Sequence, residues 1–237
     1  MDRFPYSQNS IIERTNSTIQ PFMIQVYGWM TCGLLLTAFV SWYAVRTLVL
    51  LQFILSSQLI FFSLIITQVA LVFFISNMIN QINGIMATSF FMLYSALTGL
   101  TLASIFIVYT ASSIASTFFV TSGMFGAMTL YGYAVKRDLS SFSNLLFMAL
   151  IGIILASIVN TYLQNTNLMW IVTYISVLVF TGLTAYDTNK LKKMSDQLLL
   201  LENKDQFRKY SIVGALSLYL DFINLFLIFL RIFGKRR

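Results

Sequence analysis

The chain has 237 residues, 58% apolar and only 10% charged, with a net charge of +7. A soluble domain carries about 25% charged residues, so this composition excludes a water-soluble globular protein. The absence of histidine and the single cysteine, Cys32, also exclude a Ser-His-Asp triad, a histidine-ligated zinc site, an imidazole switch and an internal disulfide.

Residues 1–21, MDRFPYSQNSIIERTNSTIQP, are polar and mixed in charge. They lack the basic-then-apolar pattern of a cleaved signal peptide and read as a retained, mobile tail ending near Pro21. Stretches of about 20 apolar residues mark membrane helices. Seven follow: Phe22–Val45, Leu59–Ile79, Ile85–Tyr109, Ile114–Val135, Asn144–Leu163, Leu168–Asp187 and Ile212–Phe233. Between Arg14 and Lys136 the only charge is Arg46. The expected fold is an all-α membrane protein, with one seven-helix domain over 22–233 and a basic tail over 234–237. Between the first two spans, TLVLLQFILSSQ is apolar but short, an interfacial segment or an extension of a span. Connectors such as TASS and QNTN are short, so neighbouring helices run antiparallel.

Lysine and arginine counts set orientation. With the N-terminus in the cytoplasm, the cytoplasmic side holds Arg3, Arg14, Lys136, Arg137, Lys190, Lys192, Lys193, Lys204, Arg208 and Lys209. The far side holds Arg46, Arg231, Lys235, Arg236 and Arg237. That asymmetry favours a cytoplasmic N-terminus and explains the positive charge without nucleic acid. The terminal GKRR opposes the rule: either the last segment does not cross fully, or its tail is tolerated outside. Small residues recur at four-residue spacing in Ser95, Gly99 and Ala103, in Gly123 and Ala127, and in Gly152 and Ala156, which reads as close helix packing.

Two carboxylates lie in or at the edge of spans, Asp187 in TGLTAYDTNKLK and Asp221 in SLYLDFINLF. A charge at the bilayer centre costs about 2.5–3.5 kcal/mol on insertion scales, so such an acid is neutral, paired or wetted. Helical geometry puts Gly214, Ser217, Asp221 and Asn224 on one stripe, and Thr173, Ser176, Thr184 and Asp187 on another. Two polar stripes, each with an acid, fit best facing each other inside a bundle, with Ser217, Asn224 and Thr184 as supporting polar groups. Asp187, nearer its helix end, also has the plain reading of an interfacial acid paired with Lys190 or solvated. If the two acids meet, they cannot both carry charge cheaply. One proton would hold them together, and its loss would loosen the helices. A calcium ion could replace the proton, but calcium takes about six to eight oxygens, so two carboxylates suit weak, transient binding.

GLTAYDTNKLKKM followed by GALSLYLDFINLFLIFLRIFG resembles the signature of the Bax-inhibitor family, also called lifeguard or transmembrane Bax-inhibitor-motif proteins. VYGWMTCGLLLTAFVSWY and LYSALTGLTLASIFIVYT resemble its first and third spans, and GYAVKRDLSSF its loop after the fourth. The resemblance runs from about Gln25 onward, and the short polar N-terminus is similar to the bacterial branch. It implies a seven-helix bundle with the last helix central, in a bacterial inner membrane. It implies a pH-sensitive calcium leak channel, with Asp187 and Asp221 as the gating pair, no resident cofactor, and lipid, protons and permeant calcium as partners. One departure stands out. Some bacterial relatives carry an arginine on the second span that pairs with the aspartates, whereas this chain has Gln68 in TQVALVFFISNMINQING and no base.

Two other functions compete. One is a non-conducting regulator that binds other membrane proteins, with Lys190 to Lys209 as a docking surface; the plainer reading of that stretch is a cytoplasmic loop that fixes topology and touches anionic lipid. The other is an intramembrane aspartyl protease, suggested by AYD. It lacks a glycine-x-glycine-aspartate before the second acid and a proline-alanine-leucine motif, since the only prolines are Pro5 and Pro21. The expectation is therefore a protein that is not an enzyme.

Overall fold

The computed structural model describes residues 8–47, 52, 57–135, 137–198 and 204–237. These form α1 (Gln8–Arg46), α2 (Gln58–Met78), α3 (Gly84–Leu102), a short α4 (Ile105–Val108), α5 (Ala111–Ala134), a 3-10 turn (Leu139–Phe142), α6 (Ser143–Leu163), α7 (Thr166–Leu198) and α8 (Lys204–Phe233). No strand occurs among the described residues. Seven segments are long and apolar enough to cross a bilayer: Pro21–Arg46, Gln58–Met78, Gly84–Val108, Ala111–Ala134, Leu139–Leu163, Thr166–Ser195 and Lys204–Phe233. Each expected span has its counterpart.

The boundaries follow local chemistry. Asn83 caps α3 by accepting from Met86 N at 2.8 Å. Asn165 Oδ1 accepts from Asn167 N and Leu168 N at the start of α7, each satisfying a helix-start donor. Gln164 ends α6 in the left-handed conformation, φ 50°, with its N–H on Asn160 O at 2.8 Å. That sharp stop reverses the chain within QNTN.

Two expectations are revised and a third is left untested. α1 begins at Gln8 and carries Pro21 within it, so part of the N-terminal stretch is helix. The Lys190–Lys209 stretch is not mainly loop, because α7 continues to Leu198 and α8 starts at Lys204. TLVLLQFILSSQ lies mostly outside the described residues.

α8 is the axis of the bundle. In its most apolar stretch 61% of residues are buried, against none in the Leu139–Leu163 span. It packs against α1, α3, α5 and α7. Lipid tails are as apolar as leucine, so helices associate through close packing and interhelical hydrogen bonds rather than through a hydrophobic drive. The small residues show where this happens. A Cβ on Gly99 would lie 2.7 Å from Thr37 O, and Ser41 Oγ donates to Gly99 O at 2.6 Å, so α1 and α3 are in backbone contact. Gly123 and Gly152 behave otherwise: a Cβ on either would meet nothing within 4 Å, and both are exposed, as is Ala127. Those two four-residue patterns therefore do not seat a neighbouring helix. Gly132 does, and spacing did not flag it; a Cβ there would collide with the carbonyl of Ala185.

The C-terminal tail lies beside the α4–α5 connection. Thr110 N donates to Lys235 O at 3.1 Å and Arg237 N to Val108 O at 2.9 Å, while Lys235 N donates to Ser113 Oγ at 2.8 Å. α8 thus traverses the bundle fully.

Candidate functional site

The last two helices set the site. α7 and α8 run antiparallel, and their register is pinned at two levels. A Cβ on Gly214 would lie 2.6 Å from Leu191 Cδ2. Near the other end Arg231 Nη1 donates to Thr173 Oγ1 at 3.4 Å. Between these levels Asp187 and Asp221 fall about one helical turn apart along the axis.

Asp221 is 5% exposed and its Oδ2 has no hydrogen-bond partner among the described residues. Its neighbours Leu218 and Phe222 are buried with it. Asp187 is half-buried and is the charge that acts on Asp221. The charge acting on Asp187 is that of Lys190, but Lys190 is exposed and no ion pair joins the two among the described residues. The interfacial reading of Asp187 is thus only partly met: the lysine is near, the bridge is not made. An uncompensated buried carboxylate costs several kcal/mol, so this arrangement requires a proton, a cation or water on the acids.

The surrounding hydroxyls do not supply that compensation. Thr184 Oγ1 donates to Phe180 O at 2.8 Å, Ser176 Oγ to Val172 O and Thr173 Oγ1 to Met169 O, both at 2.7 Å. Each satisfies itself on a carbonyl of its own helix. Ser217 is half-buried on α8. Asn224 lines a cavity of about 360 Å³ between α6, α7 and α8, shared with Ser157, Thr173, Ser176 and Arg231. Phe180 also lines this cavity and is 9% exposed. By the register above it stands between the cavity and the level of Asp221. Gln68, the residue in place of a second-span base, faces elsewhere: its Nε2 donates to Leu97 O at 3.2 Å and Thr101 Oγ1 at 3.4 Å, tying α2 to α3.

Sequence reasoning missed the polar contacts that hold α8 in place. Gly84 N donates to Asp205 Oδ1 at 2.8 Å and Arg208 Nε to Thr88 Oγ1 at 3.0 Å, so both partners of α8 lie at the start of α3. Arg208 also stacks 5.4 Å from the Trp29 ring. The only sequence signal was a cluster of charges opening a span. Beyond the bundle, exposed Asp138 pairs with Lys193. The hydrogen bond from Lys193, followed by that from the Ser140 backbone, holds the Asp138 carboxyl down at about 2. Among the described residues no group of three or more acids, cysteines or histidines gathers to hold a metal.

A central helix carrying a buried acid, with a second acid on the preceding helix, among seven helices long and apolar enough to span a bilayer, defines a polytopic membrane protein. The family model described as "Inhibitor of apoptosis-promoting Bax1" matches residues 19–237, and the chain belongs to this Bax-inhibitor family. It is 61% identical over 237 residues, covering all of both chains, to the Inner membrane protein YbhL of Escherichia coli strain K12. It is 41% identical over 216 residues to a protein of Borreliella burgdorferi, covering 91% of this chain and 92% of the relative. It is 33% identical over 228 residues to a membrane protein of Streptococcus pyogenes serotype M1, covering 95% and 97%.

Proposed function

We propose that this protein is a proton-regulated cation leak of a bacterial inner membrane, with calcium as the permeant ion and Asp187 and Asp221 as the gate. The observation that carries this reading is the unpartnered Oδ2 of Asp221, buried on the central helix within electrostatic reach of Asp187. A proton between the acids removes the repulsion and holds α7 against α8. As the pH rises the proton leaves, two like charges face each other in a poorly hydrated interior, and the helices part. Flux is therefore low at acidic pH and higher at neutral and alkaline pH. Calcium meets the pair only in passing, because two carboxylates fall short of its usual oxygen shell. The inner-membrane location rests on the name of the Escherichia coli relative, and a cytoplasmic N-terminus on the lysine and arginine count.

Calcium flux into proteoliposomes across pH tests the reading. Wild type is expected to respond to pH, and the D187N/D221N double variant to lose that response. An unchanged pH profile in the double variant would remove the acids from the gate. The second reading, a non-conducting regulator of other membrane proteins, draws on the family description as an inhibitor of another protein. No flux at any pH, together with stable co-purification of one membrane protein, would favour it.

A further inference from the structure

α1 and α5 are neighbours around the central helix, yet a seam of open space separates them. A cavity of about 560 Å³ reaches from Tyr27 and Met30 on α1 to Ser122 and Gly126 on α5, with Phe222 of α8 beneath. A second, of about 450 Å³, continues from it and shares Tyr27, Thr129 and Leu130. A third, smaller space shares Leu34, Ala38, Phe118 and Phe222 with the first and extends to Ser41. From Met23 to Ser41 the seam follows α1 for about 27 Å, close to the roughly 30 Å of a bilayer's hydrocarbon core. Aromatic rings make its floor: Phe118 and Phe125 each stand edge-on to Phe222 with centroids 5.4 Å apart. A Cβ on Gly126 would meet nothing within 4 Å.

Three polar features gather toward one end. Tyr27 Oη and Thr129 Oγ1 are buried beside each other, with Thr188 also next to the Tyr27 hydroxyl. Tyr133 lines the cavity there, and Lys192 Nζ sits 4.9 Å from its ring centroid while donating to its carbonyl at 2.8 Å. Lys193 is neutralised by Asp138, whereas among the described residues no carboxylate lies within ion-pair distance of Lys192. An unneutralised ammonium at the head of an apolar, acyl-length channel matches an amphiphile with a negative headgroup.

We propose that the α1–α5 seam binds one anionic glycerophospholipid. Its acyl chain lies on Phe222 and its headgroup charge faces Lys192. The site is independent of the gate, since it needs neither acid.

Native mass spectrometry of the full chain in detergent, titrated with phosphatidylglycerol or phosphatidylcholine, tests this. Wild type is expected to retain one phosphatidylglycerol per chain and to prefer it over phosphatidylcholine. G126F fills the seam and should cut retention about ten-fold, whereas G152F, equally free of contacts on α6, should leave it unchanged. K192Q should abolish the headgroup preference but keep the acyl adduct, and it carries the test if G126F does not fold. Equal retention by G126F and wild type, no headgroup preference in wild type, or loss of a dimer rather than of a lipid adduct in G126F would each overturn the proposal.

Discussion

The hydroxyl of Tyr219 on the central helix lies 2.6 Å from Thr37 Oγ1 on α1. Thr37 Oγ1 is also 2.9 Å from Gly33 O and 2.8 Å from Ser95 O, so α1, α3 and α8 meet at one hydroxyl. The Tyr219 side chain is fully buried, with Phe91 and Tyr94 edge-on to its ring at centroid distances of 5.8 and 5.7 Å. Tyr219→Phe keeps the ring and removes one bond at Thr37 Oγ1, which retains the Gly33 and Ser95 carbonyls, and should cost about 1 kcal/mol. Tyr219→Ala empties the junction and should cost about 3–5 kcal/mol. Reversible unfolding in mixed micelles measures both. Thr37→Val combined with Tyr219→Phe should cost less than the two single changes added together, because they break one shared bond.

Glycine contacts predict an asymmetry between positions that look alike in sequence. Gly132→Ala forces a methyl into the Ala185 carbonyl and disturbs the bond of 3.2 Å that Asn189 Nδ2 donates to Gly132 O. It should lower the melting temperature markedly or prevent folding. Gly123→Ala and Gly152→Ala face open space and should be neutral or slightly stabilising, since alanine is favoured over glycine in a helix by about 1 kcal/mol. Thermal melts of the three variants in one detergent check the ranking. Equal destabilisation at all three would contradict it.

The Asp138–Lys193 pair gives a pH prediction that separates surface from interior. The folded value for Asp138, about 2, lies below its unfolded value. Its contribution is therefore fully present above the unfolded carboxylate value and lost as pH falls through the folded one. Nothing in this pair titrates near neutrality. D138N should leave both neutral-pH stability and the pH profile of flux unchanged, and carboxyl chemical shifts should place the Asp138 midpoint near 2. A neutral-pH flux response altered by D138N would point away from the acid pair.

The cavity holding Asn224 and Arg231 bears on conduction. If the acids are the gate, this cavity is an approach to them from the end of the bundle that holds Arg231, with Phe180 between it and the level of Asp221. Phe180→Ala should raise basal flux and weaken its dependence on pH, while Arg231→Gln should raise cation flux by removing a positive charge from the approach. Flux assays on both variants, with flux in R231Q corrected for protein incorporated, check this. A decrease in both would show that the path lies elsewhere.

How much of this was legible in the sequence depended on the length of the signal. Seven spans were legible because an apolar stretch of membrane thickness is a long pattern, and one misread residue does not erase it. Both acids stood out for the same reason: each interrupts such a stretch. The ends of α7 and α8 did not, because past Asp187 the helix continues through Lys190, Lys192 and Lys193, charges that read as loop although helical geometry carries them on to Leu198. The partners around the acids were illegible for a different reason. Thr184, Ser176 and Thr173 share a face with Asp187 by spacing, but a helical hydroxyl can always turn to its own carbonyl four residues back, and here all three do. Four-residue spacing likewise could not separate Gly99, pressed on Thr37, from Gly123, which faces open space.

The most direct measurement of the central claim is the protonation of the acids themselves, by infrared spectroscopy of the protein in lipid across pH, with D187N and D221N alongside. The account predicts a protonated carboxyl band in wild type at acidic pH. That band disappears over the same pH range in which flux rises, and it is lost or displaced in each single variant. A pH-dependent flux with no such band at any pH, or a band that neither substitution changes, would contradict it.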